Sequence, residues 1–161
     1  MIKNLFLIAF ILGFYSCNEN ELFRSAAIDD DYSSITDPKE RWEAYDLKSY
    51  SIEQTWSCEC LPPSSGHSYI INNEVVMIEY NLSKNSAFGR KQDEIYSYAI
   101  NKAITVEEAF DIIEKNQSAH RIDVEYDSRY GYPTSIFIDI DPSIADEEII
   151  RNFGNLKRIF N

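Results

Sequence analysis

Residues 105–139, TVEEAFDIIEKNQSAHRIDVEYDSRYGYPTSIFID, contain the clearest helix and the clearest hairpin of the chain. Thr105 and Glu108 have the spacing of a capping box, in which each side chain hydrogen-bonds the backbone N–H of the other residue. Apolar residues then recur at helical spacing and form the stripe Val106, Ala109, Phe110 and Ile113. The residues expected on the outward face are Glu107, Asp111, Glu114 and Lys115. The pattern predicts an amphipathic helix that ends near Gln117.

A hairpin is predicted directly after this helix. Ile122, Val124 and Tyr126 alternate with acidic residues, which is typical of a strand with one buried face. A turn over 128–133 follows, and isoleucines recur at every second position from Ile136 to Ile140. The two runs therefore predict a pair of antiparallel strands.

The region before residue 105 begins with a second capped helix. Asp37 precedes Pro38, and both residue types are favoured at the start of a helix. Trp42 and Tyr45 lie three positions apart and can share its buried face. The period then changes to two, which predicts a strand over 50–56. Two further strands are expected over 68–72 and 75–81, joined by a tight turn at Asn72-Asn73-Glu74.

Two regions have weaker patterns. The aromatic stretch Ile95–Ile100 is compatible with another strand, and the tail 146–161 has apolar spacing that leans helical but is interrupted by Gly154. Together the elements predict an α+β fold in which helices pack on one face of an antiparallel sheet. The predicted organisation is a single domain over 37–161.

The N-terminus has the pattern of a bacterial lipoprotein signal. One cation, Lys3, precedes an apolar run over 5–15 that is too short to span a bilayer. Cleavage after Ser16 would leave Cys17 to be acylated and to anchor the chain in the membrane. Asn18 resembles the sorting pattern for the outer membrane. The alternative is an ordinary cleaved signal in which the cysteine is incidental.

The segment between the anchor and the domain is predicted to be a flexible tether. Residues 17–36 are polar and acidic and show no clear periodicity. The triplet Asp29-Asp30-Asp31 lacks the spaced acceptors of a calcium loop and indicates a solvated charge run. We therefore expect a chain that begins near Ser34 to fold by itself.

Composition excludes several classes of protein. The chain has 161 residues and a formal charge of −12, with 27 acidic against 15 basic residues. Nucleic-acid binding requires a concentrated basic surface, so no nucleic-acid partner is expected. The same negative charge argues against electrostatic docking of the protein on anionic lipid. The expected contacts are with the membrane, through the N-terminal lipid, and with an envelope protein.

The two histidines and one pair of aspartates are the side chains most able to carry chemistry. His67 follows Gly66 at a strand edge, and His120 opens a strand. Asp139 and Asp141 project to the same side of a strand, which can serve acid–base work or hold calcium. Because no phosphate loop, nucleophile elbow or zinc motif accompanies them, we expect no catalytic residue, no cofactor and no metal site.

Cys58 and Cys60 are the thiols that remain once Cys17 is acylated. Because the compartment is oxidising, an intramolecular disulfide is expected before free thiols, and a metal or redox site comes last. Cα atoms two apart on a strand are about 6.5 Å apart, near the long limit for a disulfide, so closure requires a bend. His67 could supply one further metal ligand, but no fourth is evident.

Three tyrosines crowd the hairpin: Tyr126, Tyr130 and Tyr132. Exposed tyrosines beside a Gly-Pro turn can form a contact surface for a protein or a glycan. The alternative is that they pack across the hairpin and onto the helix over 105–117. A single sequence leaves both interpretations open.

Several of these features together resemble an uncharacterised bacterial family of small secreted or lipid-anchored domains. They are Trp42, Tyr50, Cys58-x-Cys60-x-Pro62, Thr105-Val106-Glu107-Glu108-x-Phe110 and Val124-x-Tyr126-Asp127-x-x-Tyr130-Gly131-Tyr132-Pro133-x-x-Ile136-x-Ile138-Asp139. The resemblance covers roughly residues 42–148, and the polar stretch 84–94 departs from it. It implies fold and location, and no activity.

Three classes of function follow from the sequence. A non-enzymatic interaction or structural domain of the cell envelope is favoured, because the chain has no recognisable catalytic set. The second class is a thiol–disulfide or metal-binding protein that uses Cys58 and Cys60. The third is a hydrolase with an unrecognised site, which would need a pocket around His67 or His120.

Acylation of Cys17 is directly testable. We expect Cys17→Ser to abolish incorporation of labelled fatty acid and to move the protein out of the membrane fraction, because the thiol is the acceptor of the lipid. Radiolabelling and fractionation of cells that express either form measure both effects. Undiminished labelling of the variant contradicts the assignment.

Overall fold

The computed structural model describes residues 23–57, 64–80 and 91–160. Ten elements follow one another along these residues. They are β1 (Arg24–Ala26), α1 (Pro38–Tyr45), β2 (Tyr50–Ser57), β3 (Ser65–Ile71), β4 (Glu74–Glu79), α2 (Gln92–Lys102), α3 (Val106–Lys115), β5 (Arg121–Tyr126), β6 (Pro133–Asp139) and β7 (Ile149–Phe160).

Within these ranges the strands form one seven-stranded antiparallel sheet. Its order is β4-β3-β2-β7-β6-β5, and β1 pairs with the C-terminal part of β7. Strand β7 is therefore central, because its two edges contact β2 on one side and both β6 and β1 on the other. The predicted α+β class with an antiparallel sheet is confirmed.

Helices α1 and α3 begin at the predicted caps. The side chain of Asp37 accepts the N–H of Glu40 at 2.8 Å. Thr105 and Glu108 form the reciprocal capping box, with distances of 3.1 and 2.8 Å. These bonds satisfy N–H groups that the first turn of a helix leaves free, so each cap fixes where its helix starts.

The main core lies between β2 and these two helices. Alternate residues of β2, from Tyr50 to Trp56, are buried, and they share one face of the strand. Trp42 of α1 and Phe110 of α3 belong to the same buried cluster as Ile52. A second cluster joins Trp56 to Ala99 of α2. All three helices therefore pack against the face of the sheet to which the alternate side chains of β2 point.

A buried amide connects β2 to the segment between α2 and α3. Gln54 is 1% exposed, and its side chain donates to the carbonyl of Ile104 at 2.7 Å and accepts its N–H at 3.1 Å. Both halves of the amide are satisfied, so burial of this polar group is not penalised. The pair holds the start of α3 over the sheet.

The stretch over 95–100, which the sequence left open as a possible strand, belongs to helix α2. Ile95 and Ala99 lie four residues apart, on one helical face, and both are buried. Tyr96 is exposed, so the aromatic content that indicated a strand is not part of a period-two buried face.

The tail over 146–161, whose state the sequence left open despite its helical spacing, contains strand β7 over residues 149–160. Gly154 pairs with Glu53 and Lys157 pairs with Ser51, so β7 contains one residue more than β2 over this interval. Asn155, with φ 53°, lies in this bulge. The extra residue puts Phe153 and Leu156 three apart in the core, which imitates helical spacing.

The tether prediction for residues 17–36 needs correction over its second half. Arg24–Ala26 pair with the end of β7, and Ile28 is 4% exposed within the main core. The guanidinium of Arg129 donates to the carbonyl of Ile28 at 2.7 Å. The packed unit therefore begins before Asp37. A single buried isoleucine among polar residues gives no periodicity, which is why the sequence did not reveal it.

This packing predicts that the segment contributes to stability. We expect Ile28→Ala to lower the free energy of unfolding by about 2–5 kcal/mol, because it leaves a cavity in the core. The exposed neighbour provides the control, and Asp29→Ala is expected to change that free energy by less than about 0.5 kcal/mol. Urea denaturation of the chain from Phe23 onwards, here called the soluble domain, measures both free energies. A chain that starts at Ser34 and is as stable as one that starts at Phe23 contradicts this prediction.

Candidate functional site

The three tyrosines predicted as a contact surface lie in different environments. Tyr126 is 36% exposed and stacks on Phe110 with ring centroids 6.2 Å apart. Tyr130 is half-buried and contacts Tyr45 and Tyr132. Tyr132 is 5% exposed, and burial raises its pKa to about 12. As a correction, Tyr132 belongs to the core, and the contact surface stays a prediction for the other two.

The turn between β5 and β6 fastens the hairpin to α1. The carboxylate of Asp127 accepts the N–H groups of Arg129 and Tyr130 at 2.9 and 2.6 Å. Gly131 has a φ of 84°, and a Cβ atom there would lie 2.2 Å from the carbonyl oxygen of Pro38. Only glycine allows this approach, so these motif residues have a structural role.

Arg41 reinforces the same junction from the other side. Its guanidinium donates to the carbonyl of Ser128 at 2.7 Å and to that of Asp127 at 3.3 Å. Its Nε donates to the carbonyl of Ile35 at 2.8 Å. Helix α1 is therefore held both by its own cap and by the hairpin, which fixes its position relative to α3.

A cleft of about 320 Å³ lies between α1 and α3. The residues that line it are Lys39, Trp42, Glu43, Asp46, Leu47, Lys48, Glu107, Phe110 and Asp111, and they define the α1–α3 cleft. Trp42, Leu47 and Phe110 are buried and provide an apolar floor. The other residues are charged, so the cleft combines an apolar base with a charged rim, as ligand pockets commonly do.

Glu107 is the most constrained charged group of the cleft. Its carboxylate accepts the indole N–H of Trp42 at 3.1 Å and the hydroxyl of Tyr50 at 3.3 Å. The same hydroxyl accepts the N–H of Val106 at 2.8 Å. Burial and the adjacent carboxylate raise the pKa of Tyr50, so this phenol stays protonated and able to donate.

The position of Glu107 corrects the expectation that it faces outward. The helical wheel places it beside the buried stripe, and the periodicity alone does not show that two aromatic donors point at it. A signal was available, since the indole N–H of a buried Trp and the hydroxyl of a buried Tyr usually find an acceptor.

The charged rim of the cleft is rich in carboxylates. Its lining holds two lysines and four carboxylates. Lys48 pairs with Asp46 at 2.9 Å. Two pairs reach outside the lining, between Lys39 and Glu114 and between Lys115 and Asp111, the latter at 3.6 Å. Glu43 forms no ion pair with any residue that the structure describes. The local charge therefore favours a cation.

A second hollow, of about 430 Å³, surrounds His67 at the β2–β3–β4 side of the sheet. His67 lies directly opposite Glu53 on β2 and Glu79 on β4. Burial lowers the pKa of His67, while the two carboxylates act against this shift. Ser65 and Thr55 also line the hollow, but neither hydrogen-bonds the imidazole ring, which contacts the ring of Tyr69.

His120, Asp139 and Asp141 lie together at the end of the β5–β6 hairpin that is farther from its turn. The carboxylate of Asp141 accepts from the backbone and side chain of Ser143, and these bonds lower its pKa. Loss of solvent contacts and the carboxylates of Glu147 and Glu148 raise the pKa of Asp139. Within the described ranges, no three His, Cys, Asp or Glu side chains are arranged to hold a metal ion.

The cysteine predictions lie outside the described residues. Cys17, Cys58 and Cys60 fall in the ranges 1–22 and 58–63, so the lipid anchor and the disulfide stay predictions. No helix among the described residues combines the length and the hydrophobicity that crossing a membrane requires.

Comparison with known proteins gives one positive result. Neither the curated proteins nor the solved structures include a match to the chain. A family model does match, over residues 34–158, and this range contains the α1–α3 cleft and the hairpin. The resemblance to an uncharacterised family is thereby confirmed, and the chain belongs to the family of unknown function DUF6174.

Proposed function

We propose that the protein is a non-enzymatic interaction domain of the cell envelope, held at the outer membrane by acylated Cys17, that binds a basic side chain of a partner protein in the α1–α3 cleft. The observation that carries the proposal is the composition of this cleft. It joins an apolar floor to a rim in which carboxylates outnumber lysines by four to two.

The floor and the rim together select the chemistry of the ligand. A lysine or arginine side chain has an apolar stem and a charged end, so it can lie along Trp42 and Phe110 while its cation approaches the carboxylates. An acidic side chain would meet Glu43 and Asp111 and be repelled.

The rigidity of the cleft supports binding. Trp42 is held by Glu107, and α1 is fixed to the hairpin through Arg41 and Gly131. A preorganised site loses less conformational freedom when its ligand arrives, so more of the contact energy becomes affinity. The hairpin residues of the family motif thus support the site without touching the ligand.

The two tryptophans provide a test with an internal reference. A blocked tetra-arginine peptide is expected to shift the indole N–H resonance of Trp42, which lines the cleft, and to leave that of Trp56 in the second cluster unchanged. We expect Glu43→Gln to weaken binding about twofold to fivefold, since an exposed ion pair contributes up to about 1 kcal/mol. NMR titration of the soluble domain measures both effects.

The matched control for this test is Glu53→Gln, which removes the same charge from an exposed position on β2. It is expected to change the dissociation constant by less than about twofold. Equal weakening by the two variants, or an equal shift of Trp42 with a tetra-glutamate peptide, contradicts a specific cation site in the cleft.

A hydrolase that acts through His67 is the second candidate. The hollow around His67 favours it, because its lining brings an imidazole near two carboxylates and two hydroxyl side chains. The lowered pKa keeps the imidazole neutral and able to accept a proton at pH 7. Nucleophilic catalysis also requires a hydrogen bond between the imidazole and a hydroxyl in the reacting complex. Neither hydroxyl of the hollow forms this bond in the structure.

The two candidates differ in their response to His67→Gln. We expect the soluble domain to leave a panel of chromogenic esters intact and this variant to bind the tetra-arginine peptide as the parent does, because His67 lies outside the cleft. Absorbance assays and the NMR titration measure these outcomes. Ester turnover that disappears in His67→Gln and persists in Glu43→Gln would replace the binding proposal by a hydrolase.

A further inference from the structure

We propose that one end of the sheet, marked by Phe23 and Phe160, lies on the lipid headgroups, while the opposite end points away from the membrane. This inference rests on the proposed acylation of Cys17. The end that carries Phe23, Arg24, Lys48 and Phe160 is here called the anchor end. The end that carries Asp139, Asp141, Glu147 and Glu148 is called the distal end.

The first argument is the length of chain between the lipid and the fold. Strand β1 begins at Arg24, and the ring of Phe23 already stacks on Tyr69 with centroids 5.0 Å apart. Cys17 precedes Phe23 by six positions. Six fully extended residues span at most about 20 Å, so the fold begins within that distance of the lipid.

The second argument is the place at which the chain enters the fold. Arg24 lies opposite Phe160, the last residue of β7, and Tyr50 at the start of β2 lies opposite Arg158. The chain therefore enters at the end of the sheet where β7 finishes and β2 begins. The turn between β3 and β4 lies at the same end, because the N–H of Asn73 donates to the carbonyl of Lys48 at 2.9 Å.

The reach of the chain before Phe23 and the length of the sheet together exclude an inverted orientation. The twelve residues of β7 separate the anchor end from the distal end by roughly 40 Å at about 3.3 Å per residue. With the distal end on the bilayer, Phe23 would lie farther from the surface than the preceding residues can reach. The domain can therefore stand on its anchor end or lie on its side.

The charge distribution selects the upright orientation. At the anchor end the charged residues are Arg24, Lys48, Lys157 and Arg158 against Asp29, Asp30, Asp31, Asp46 and Glu74. At the distal end they are Arg121 and Arg151 against Asp123, Asp139, Asp141, Asp146, Glu147 and Glu148. Anionic lipids attract cations and repel carboxylates near their surface. A domain that lies on its side would bring the acidic distal end to the surface as well, whereas an upright domain presents only the nearly balanced anchor end.

An exposed aromatic side chain completes the anchor end. Phe160 is 50% exposed at the end of β7, and its strand partner Arg24 is exposed as well. Aromatic rings and arginines beside one another suit the boundary between water and lipid, where apolar and polar groups are both accommodated. The distal end also exposes apolar side chains, Ile140 and Ile144, but these lie among carboxylates, so the pairing with a cation and not the apolar area distinguishes the anchor end. The surface proposed here is a peripheral contact and does not insert a segment across the bilayer.

Energy transfer from the protein to the membrane tests this orientation. The full acylated chain is reconstituted in vesicles of phosphatidylcholine and phosphatidylglycerol that carry an acceptor dye on a small fraction of headgroups. A fluorescent amino acid replaces either Phe160 at the anchor end or Ser143 beyond β6. We expect clearly higher transfer efficiency from position 160. Equal efficiencies, or higher efficiency from position 143, overturn the proposal.

Two matched variants separate orientation from simple proximity. Arg24→Glu is expected to lower transfer from position 160, whereas Arg121→Glu at the distal end is expected to leave it unchanged. A Gly/Ser insertion of about 20 residues between Leu22 and Phe23 is expected to reduce the difference between the two positions. Equal effects of the two arginine variants contradict the assigned contact surface.

Vesicle flotation distinguishes failure of this inference from failure of the proposed function. A chain that does not float with the vesicles and carries no fatty acid refutes the anchor, and the orientation falls with it. A chain that floats but shows equal transfer from both positions refutes the orientation alone. The binding test on the α1–α3 cleft uses the soluble domain and is independent of both results.

Discussion

The hydroxyl of Tyr50 connects the sheet to two helices, and the arrangement of the helical layer depends on it. It accepts the N–H of Val106, in the first turn of α3, and donates to Glu107, which also accepts from Trp42 of α1. Tyr50 is fully buried, so each of these partners replaces water that the hydroxyl lost on folding. A buried polar group without such partners costs about 1–3 kcal/mol, so a placement of α1 and α3 that broke these bonds would be less stable by about that amount.

The local signals of the sequence were sufficient for α1, α3 and the two hairpins, because caps and tight turns are decided by neighbouring residues. Asp37 and Thr105 bind N–H groups three residues away, and the turn at Asn72-Asn73 uses two residues with positive φ. The central strand β7 could not be predicted in this way. Its bulge at Asn155 exists only in relation to β2, and the resulting three-residue spacing of Phe153 and Leu156 imitates a helix.

The candidate site shows the same division between local and distant information. The sequence identified Trp42, Tyr50 and Phe110 as part of one motif set, and the structure brings them together around Glu107. It could not show that residues from α1 and α3 enclose a cleft, because Trp42 and Glu107 lie 65 positions apart along the chain. Similarly, His67 gained its two carboxylate neighbours through pairing with β2 and β4.

The two proposed contacts meet at Lys48, and this adjacency has a physical consequence. Lys48 lines the α1–α3 cleft and also lies at the anchor end, beside the turn between β3 and β4. In the proposed arrangement the cleft therefore opens close to the headgroups. A basic partner segment would be attracted both by anionic lipid and by the carboxylates of the cleft, and the lipid would raise its concentration near the site. Membrane anchoring would then contribute to recognition as well as to location.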